Sequence, residues 1–123
     1  MLFVHSAIYV TILAMPAIRE YLDSQGNSPF GRWLIRLPAV AGAKVTTALA
    51  RLEGGNTSSL KSVGKGVHEV RIDFGPGYRV YIGWDSVDLV ILLGGSTKAR
   101  QGNAIADAHG RWADYRQRKL TGE

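Results

Sequence analysis

Cysteine is absent from the 123 residues. That excludes a disulfide framework, a thiolate nucleophile, an iron–sulfur cluster and cysteine-ligated zinc. Histidine occurs only as His5, His68 and His109, without ligand spacing or clustered carboxylates, so the three read as surface or half-buried side chains. No metal and no cofactor are expected. A G-x-S-x-G elbow is missing, which leaves a hydrolase triad without support. Gly94-Gly95-Ser96-Thr97-Lys98 lacks the glycine spacing of a Walker loop. There is no basic tail either: residues 1–60 carry a net +2 and residues 61–123 a net +3, from five basic against three acidic and ten against seven. Repeats and low-complexity linkers are absent, so one domain spanning 1–123 is expected.

What is present is ordinary globular composition with a cationic surplus. Hydrophobic residues make up 46% and charged residues 20%, enough for one modest core. Fifteen Lys and Arg against ten Asp and Glu give +5, with a pI near 9.8. Such a balance favours a polyanionic partner, and without a basic tail the anion site must be assembled by folding. Met1 to Met15 is apolar, but the first basic residue is Arg19, beyond that stretch, so it lacks the positive region of a secretory signal. It is too short to span a bilayer. The β-branched and aromatic run from Ala7 to Leu13 predicts a buried strand, and the protein is expected to be cytoplasmic, with no membrane partner.

After a loop at Asp23 to Asn27, Ser28-Pro29 reads as an N-cap followed by proline at the first helical position. Phe30, Trp33, Leu34 and Leu37 give a short helix ended by Pro38. Val45, Ala48, Leu49 and Leu52 mark one face of a second helix, closed by Gly54-Gly55. Val70, Ile72 and Phe74 alternate with Glu69, Arg71 and Asp73. Past the turn at Gly75-Pro76-Gly77, Tyr78, Val80 and Ile82 alternate with Arg79, Tyr81 and Gly83. A three-residue loop pairs Asp73 with Arg79 and Arg71 with Tyr81. That register places Glu69, Arg71, Asp73, Arg79 and Tyr81 on one exposed face. Leu89 to Leu93 is apolar without alternation, as in a strand covered on both faces. The last segment is helical, with Ile105, Ala108, Trp112 and Tyr115 on one stripe. The expected order is β-α-α-β-β-β-α, an α+β domain with helices against a mainly antiparallel sheet.

On the exposed face, Arg71 and Arg79 are permanent cations that can hold phosphate oxygens or stabilise charge on a phosphorane. Glu69 could accept a proton, and Tyr81 could stack or donate one. Lys61 and Lys65 lie in a loop before this strand, and Lys98 and Arg100 leave from the end of the last strand. The plainer alternative is a solvated face with a cross-strand ion pair between Asp73 and Arg79. Trp33, Trp84 and Trp112 could stack on bases or pack a core.

Several segments carry a resemblance. They are Ser28-Pro29-Phe30 with Trp33-Leu34, Ala48 to Glu53, Leu60 to Gly64, Gly66 to Tyr81, and Leu92 to Lys98 with Gln101 and the Ile105…Ala108…Trp112 tail. Together, over roughly residues 7 to 116, they resemble HigB-like addiction-module killer proteins of the RelE/ParE toxin superfamily; residues 1–6 fall outside and read as an extension or a misassigned start. The resemblance implies a RelE-like fold and a cognate antitoxin, often a small helix-turn-helix protein. It also implies metal-independent endoribonuclease action on mRNA at the ribosome, in which a 2′-OH attacks the adjacent phosphate. By the same resemblance Arg79 matches a catalytic arginine, Arg71 a basic catalytic residue one strand earlier, and Lys98 a further cation. Glu69 would be the base. Lys61, Lys65, Arg100 and Gln101 would contact RNA. Positions 99–105 lack the Tyr or His that several such proteins carry there, so Tyr81 or Gln101 would stand in. Two other readings share the fold: a ParE-like toxin of DNA gyrase without nuclease activity, and a degenerate binding member.

Overall fold

The computed structural model describes residues 15–122. The strand expected at residues 7–13 lies outside them. The first described strand is β1, Ala17–Glu20. It is followed by helix α1 (Pro29–Ile35) and helix α2 (Ala39–Glu53). Strands β2 (Leu60–Gly64), β3 (Val67–Ile72), β4 (Tyr78–Ser86) and β5 (Leu89–Thr97) come next. A single 3-10 turn at Lys98–Arg100 leads into helix α3, Gln101–Leu120. Among the described residues, five strands form one mixed sheet in the order β1-β5-β4-β3-β2, with β1 parallel to β5 and the other pairs antiparallel. The class is α+β. Among the described residues no helix is long and apolar enough to cross a membrane.

Local chemistry accounts for the helix boundaries. Ser28 caps α1 by accepting a hydrogen bond from the Gly31 backbone N–H at 2.9 Å, and Pro29 stands where its missing N–H costs nothing. Pro38 separates α1 from α2. At the far end of α2 the Gly55 N–H bonds back to the Leu52 carbonyl, with Gly55 at φ +90°.

Segment 60–64 departs from expectation. Read as a loop, it is strand β2, pairing Lys61 with Glu69 and Ser62 with His68. Glycines and lysines obscure its alternation, but Leu60 and Val63 are the two half-buried positions. The β3–β4 register differs too. Arg71 pairs with Arg79, Ile72 with Tyr78 and Glu69 with Tyr81. The connection is longer than three residues because the tight turn closes early, with the Gly77 N–H bonded to the Phe74 carbonyl, which leaves Asp73 beyond the ladder. The shift is two residues, so it preserves parity: Arg71 and Arg79 share a face, as the alternation requires.

That face is solvated only in part: Arg71 is exposed, but Glu69, Arg79 and Tyr81 are buried. The sheet has a core on each side. On one, α1 and α2 bring Phe30, Val45, Leu49 and Leu52 against Val70, Val80, Ile82 and Leu92. On the other, Ala108 and Trp112 of α3 pack over Val67, Tyr81, Ile91 and Leu93. The stripe expected on α3 is the face that packs, with Ile105 and Tyr115 at its margin. Val90 to Leu93 are all buried, as expected for a strand covered on both sides. Trp33 and Trp112 are core residues rather than free stacking surfaces: each lies over a glycine of the sheet, Gly95 and Gly83 respectively.

Two carboxylates fasten α3. Tyr115 donates to Asp85 at 2.6 Å, and Lys119 pairs with the same carboxylate. Tyr21 donates to Asp114, which also accepts from Arg118. The bonds from Lys119 and Tyr115 hold the Asp85 carboxyl below its usual range, and those from Tyr21 and Arg118 do the same for Asp114. Burial, then the bond to Asp85, pushes Tyr115 up to about 12. Depressed carboxylates stabilise the fold above the unfolded value of 3.8, and that contribution is lost as pH falls through the lower folded values. The raised phenol stabilises fully below its ordinary value of 10.0, and this is lost as pH rises toward 12. Thermal unfolding is therefore expected to be flat near neutrality and to weaken below about pH 4 and above about pH 10. Asp85→Asn should flatten the acid limb; an unchanged acid limb would discount this clamp.

Candidate functional site

Parity and register build the site before any side chain is considered. On the α3 side of the sheet, Lys61, Glu69 and Tyr81 form one cross-strand row through β2, β3 and β4. The adjacent row runs from Arg71 through Arg79 to Ser96. Directly opposed residues project from the same face, so the rows put three cations, one carboxylate, a phenol and a hydroxyl on one patch. The 3-10 turn adds Lys98, whose backbone N–H bonds to the Gly77 carbonyl at 3.0 Å. Gly77 takes φ +82°, which favours glycine, and lies against both cations: a Cβ there would make ordinary contact with Lys98 Cβ at 3.4 Å and Arg79 Nη1 at 3.7 Å.

The centre of the patch is a buried polar cluster. Glu69 is 1% exposed, Arg79 3% and Tyr81 0%. Arg79 Nε lies 3.9 Å from Glu69 Oε1. Gln101, the first residue of α3, donates from Nε2 to the other Glu69 oxygen at 2.8 Å. Arg79 Nη1 donates to the Tyr78 carbonyl at 3.0 Å, while its Nε is buried without a hydrogen-bond partner. Ser96 Oγ donates to the Thr97 carbonyl at 2.9 Å and lies 3.0 Å from the Tyr81 hydroxyl. Ser96 has one proton, so the Tyr81 phenol must be the donor in that pair. Burial, with the nearby Glu69 charge, pushes the Tyr81 phenol above its ordinary value, opposed by the Ser96 bond and Arg79. It is held protonated and can act as a donor.

Of the nine residues singled out from sequence, Glu69, Arg71, Arg79, Tyr81, Lys98, Gln101 and Lys61 are brought onto this patch. Lys61 reaches it from a strand, not a loop. Arg100 is exposed on the 3-10 turn beside Lys98. Lys65 does not join. It occupies the β2–β3 turn at φ +53°, six residues from Arg71 along β3, or roughly 20 Å. The Asp73–Arg79 ion pair does not form: Arg79 faces Glu69, and Asp73 is exposed beyond the ladder. Sequence reading passed over Ser96 as a site residue. Its only signal was its position just past Gly94-Gly95 at the end of an apolar strand.

The patch is electrostatically unbalanced. Arg71 and Arg79 are directly opposed like charges, a pairing that costs stability in a sheet. With Lys61 and Lys98 they make four cations around one carboxylate. Arg71, Lys61 and Lys98 are exposed, while Arg79 and Glu69 lie behind them under the first turn of α3. An anion landing on Arg71 and Lys98 would relieve the repulsion. Among the described residues no three His, Cys, Asp or Glu side chains converge as a metal-binding group.

A protein of Haemophilus influenzae, described only as uncharacterized, is 44% identical to this chain over 80 residues, which cover 64% of the chain and 81% of that protein. No family model matches the chain.

Proposed function

The chain belongs to the same family as that Haemophilus influenzae protein, and from this premise we propose that it is a RelE-like toxin of a toxin–antitoxin pair, acting as an mRNA endoribonuclease. The observation that carries the reading is the opposed Arg71–Arg79 pair with Lys98 beside it and Glu69 and Tyr81 behind. RNA cleavage by an internal nucleophile needs those parts. Glu69 takes the proton of the ribose 2′-OH as its oxygen attacks phosphorus. Arg71, Arg79 and Lys98 stabilise the charge on the phosphorane oxygens. The P–O5′ bond breaks, and the leaving 5′-oxygen takes a proton from Tyr81. The products are a 2′,3′-cyclic phosphate and a 5′-OH, and no water is consumed.

In this reading the exposed Arg71 and Lys98 meet the phosphate first. Gln101 must then release Glu69, a displacement of one hydrogen bond at the start of α3. The partners are mRNA on the ribosome and an antitoxin that masks the patch.

One observation favours a second reading. Arg79 and Glu69 are so deeply buried that the cluster could serve structure alone, leaving a ParE-like toxin that poisons gyrase. Brief induction followed by primer extension on translated mRNA separates the two. The nuclease reading expects cuts within coding frames and an arrest of translation within minutes. Intact mRNA together with a DNA-damage response would transfer the assignment to the gyrase reading.

A further inference from the structure

The buried cluster leaves one step of the proposed reaction without a path. Tyr81 is 0% exposed, so a leaving oxygen does not reach its hydroxyl directly. The phenol's proton has to pass through a neighbour. Among the described residues the phenol makes one hydrogen bond, to Ser96 Oγ at 3.0 Å. Register explains the contact. Tyr81 stands opposite Gly94, which offers no side chain, and Ser96 is its diagonal neighbour two residues along β5. Ser96 is 7% exposed, directly opposes Arg79, and stands two residues before Lys98. Of the two hydroxyls, Ser96 is the more accessible, and it belongs to the row that carries both arginines.

A serine hydroxyl can accept and donate at once, and Ser96 does both. It accepts from the Tyr81 phenol and donates to the Thr97 carbonyl at 2.9 Å. A leaving oxygen that takes the place of that carbonyl receives the second bond. We propose that Ser96 is a catalytic residue that relays the proton of Tyr81 to the leaving 5′-oxygen. The inference rests on the ribonuclease reading and deepens its last step. As the P–O5′ bond breaks, the oxygen takes the Oγ proton and Oγ takes the proton of the phenol. Ser96 ends the step neutral, and Tyr81 ends it as a phenolate near the Arg79 charge. Glu69 meanwhile holds the proton of the 2′-OH, opposite Tyr81 across β3 and β4. Return of that proton through water restores both groups, so a turnover neither gains nor loses one.

The test uses the whole protein on ribosomes programmed with a short mRNA whose cleavage position has been mapped by primer extension. In a second substrate the bridging 5′-oxygen of that linkage is replaced by sulfur. A thiolate is a far weaker base than an alkoxide and departs without a proton, so the sulfur substrate needs no acid. Ser96→Ala should slow cleavage of the oxygen substrate by about a hundredfold or more and leave the sulfur substrate within about threefold of wild type. Tyr81→Phe should do the same, and Ser96→Thr, which keeps a hydroxyl, should cleave both. Arg71→Ala, at an exposed position, should be slow on both substrates, because the phosphate still needs its charge. Recovery on sulfur also shows that a variant is folded. If Ser96→Ala cleaves the oxygen substrate at the wild-type rate, the relay is overturned in favour of the exposed Lys98 as donor. Equal slowing on both substrates also overturns it and leaves Ser96 a structural role. Wild-type rates in Tyr81→Phe overturn the relay together with the acid assigned to Tyr81. In each of these cases the wild-type protein still cleaves, and the ribonuclease reading stands. A wild-type protein that cleaves neither substrate overturns that reading, and the relay with it.

Discussion

Arg79→Ala is expected to abolish growth arrest on induction. Losing one preorganised charge donor to a transition state typically costs about 10²–10³ in rate. Arg79 also stands 3.9 Å from a carboxylate as buried as itself. Removing one partner of a buried ion pair leaves an uncompensated charge and costs about 3–5 kcal/mol of stability, a large share of what a domain of this size holds. A loss of toxicity could then reflect a loss of fold, so a second variant is needed. Glu69→Gln/Arg79→Met removes both charges, keeps an oxygen for Gln101 to donate to, and fills much of the guanidinium's volume. Replacing a buried pair by apolar and neutral groups is often close to neutral in stability. The double variant is expected to unfold near the wild-type temperature and still fail to arrest growth. If it folds and remains as toxic as wild type, the cluster is not the site of action.

Gly83→Ala is expected to be among the most destabilising small substitutions in the chain. A Cβ at position 83 would lie 2.4 Å from Trp112 Cε3 and 2.6 Å from Cδ2 and Cζ3. The indole is 6% exposed and stacked on Tyr115, centroids 5.4 Å apart and rings inclined by 6°, so lifting it off the sheet disrupts that stack. Overpacking of this kind costs about 1–3 kcal/mol and occasionally more. The upper end is expected here, with a fall in Tm of roughly 10 °C. Trp112→Ala should cost about 3–5 kcal/mol through the cavity it leaves. Combined, the two should cost clearly less than their sum, because the new methyl group no longer meets an indole. Urea denaturation of the four proteins measures the coupling. Strict additivity would show that position 83 matters for some reason other than the contact with Trp112.

Gly83 illustrates what could and could not be read in advance. In the sequence it is only the last of the positions that alternate with Tyr78, Val80 and Ile82. That it is the floor beneath a tryptophan 29 residues further on depends on α3 crossing the sheet at that height. Ser28-Pro29 behaved oppositely: cap, proline and helix start follow from two adjacent residues, and the structure places them so. The α3 stripe was equally plain in its 3.6-residue spacing. Strand β2 was harder because Lys61, Ser62 and Gly64 carry weak strand preference, and only pairing with β3 makes the segment extended.

The site shows the same division. Alternation in 69–73 and 78–83 determined that Glu69, Arg71, Arg79 and Tyr81 share a face, because side-chain parity survives a two-residue change of register. It also brought together the residue types for phosphate chemistry, and the cationic surplus pointed to an anionic partner before any fold was considered. The actual pairing, Arg71 against Arg79, was decided by a turn at Phe74–Gly77 that closed earlier than a three-residue loop would. Burial was decided only by tertiary structure. Charged alternation ordinarily marks a solvated face, yet Glu69 and Arg79 satisfy part of each other's charge, Gln101 supplies a hydrogen bond, and Ala108 and Trp112 seal the sheet beside them. Local sequence determines which way a side chain points. Whether water or a helix meets it there depends on contacts between residues far apart in the chain, and no local pattern encodes those.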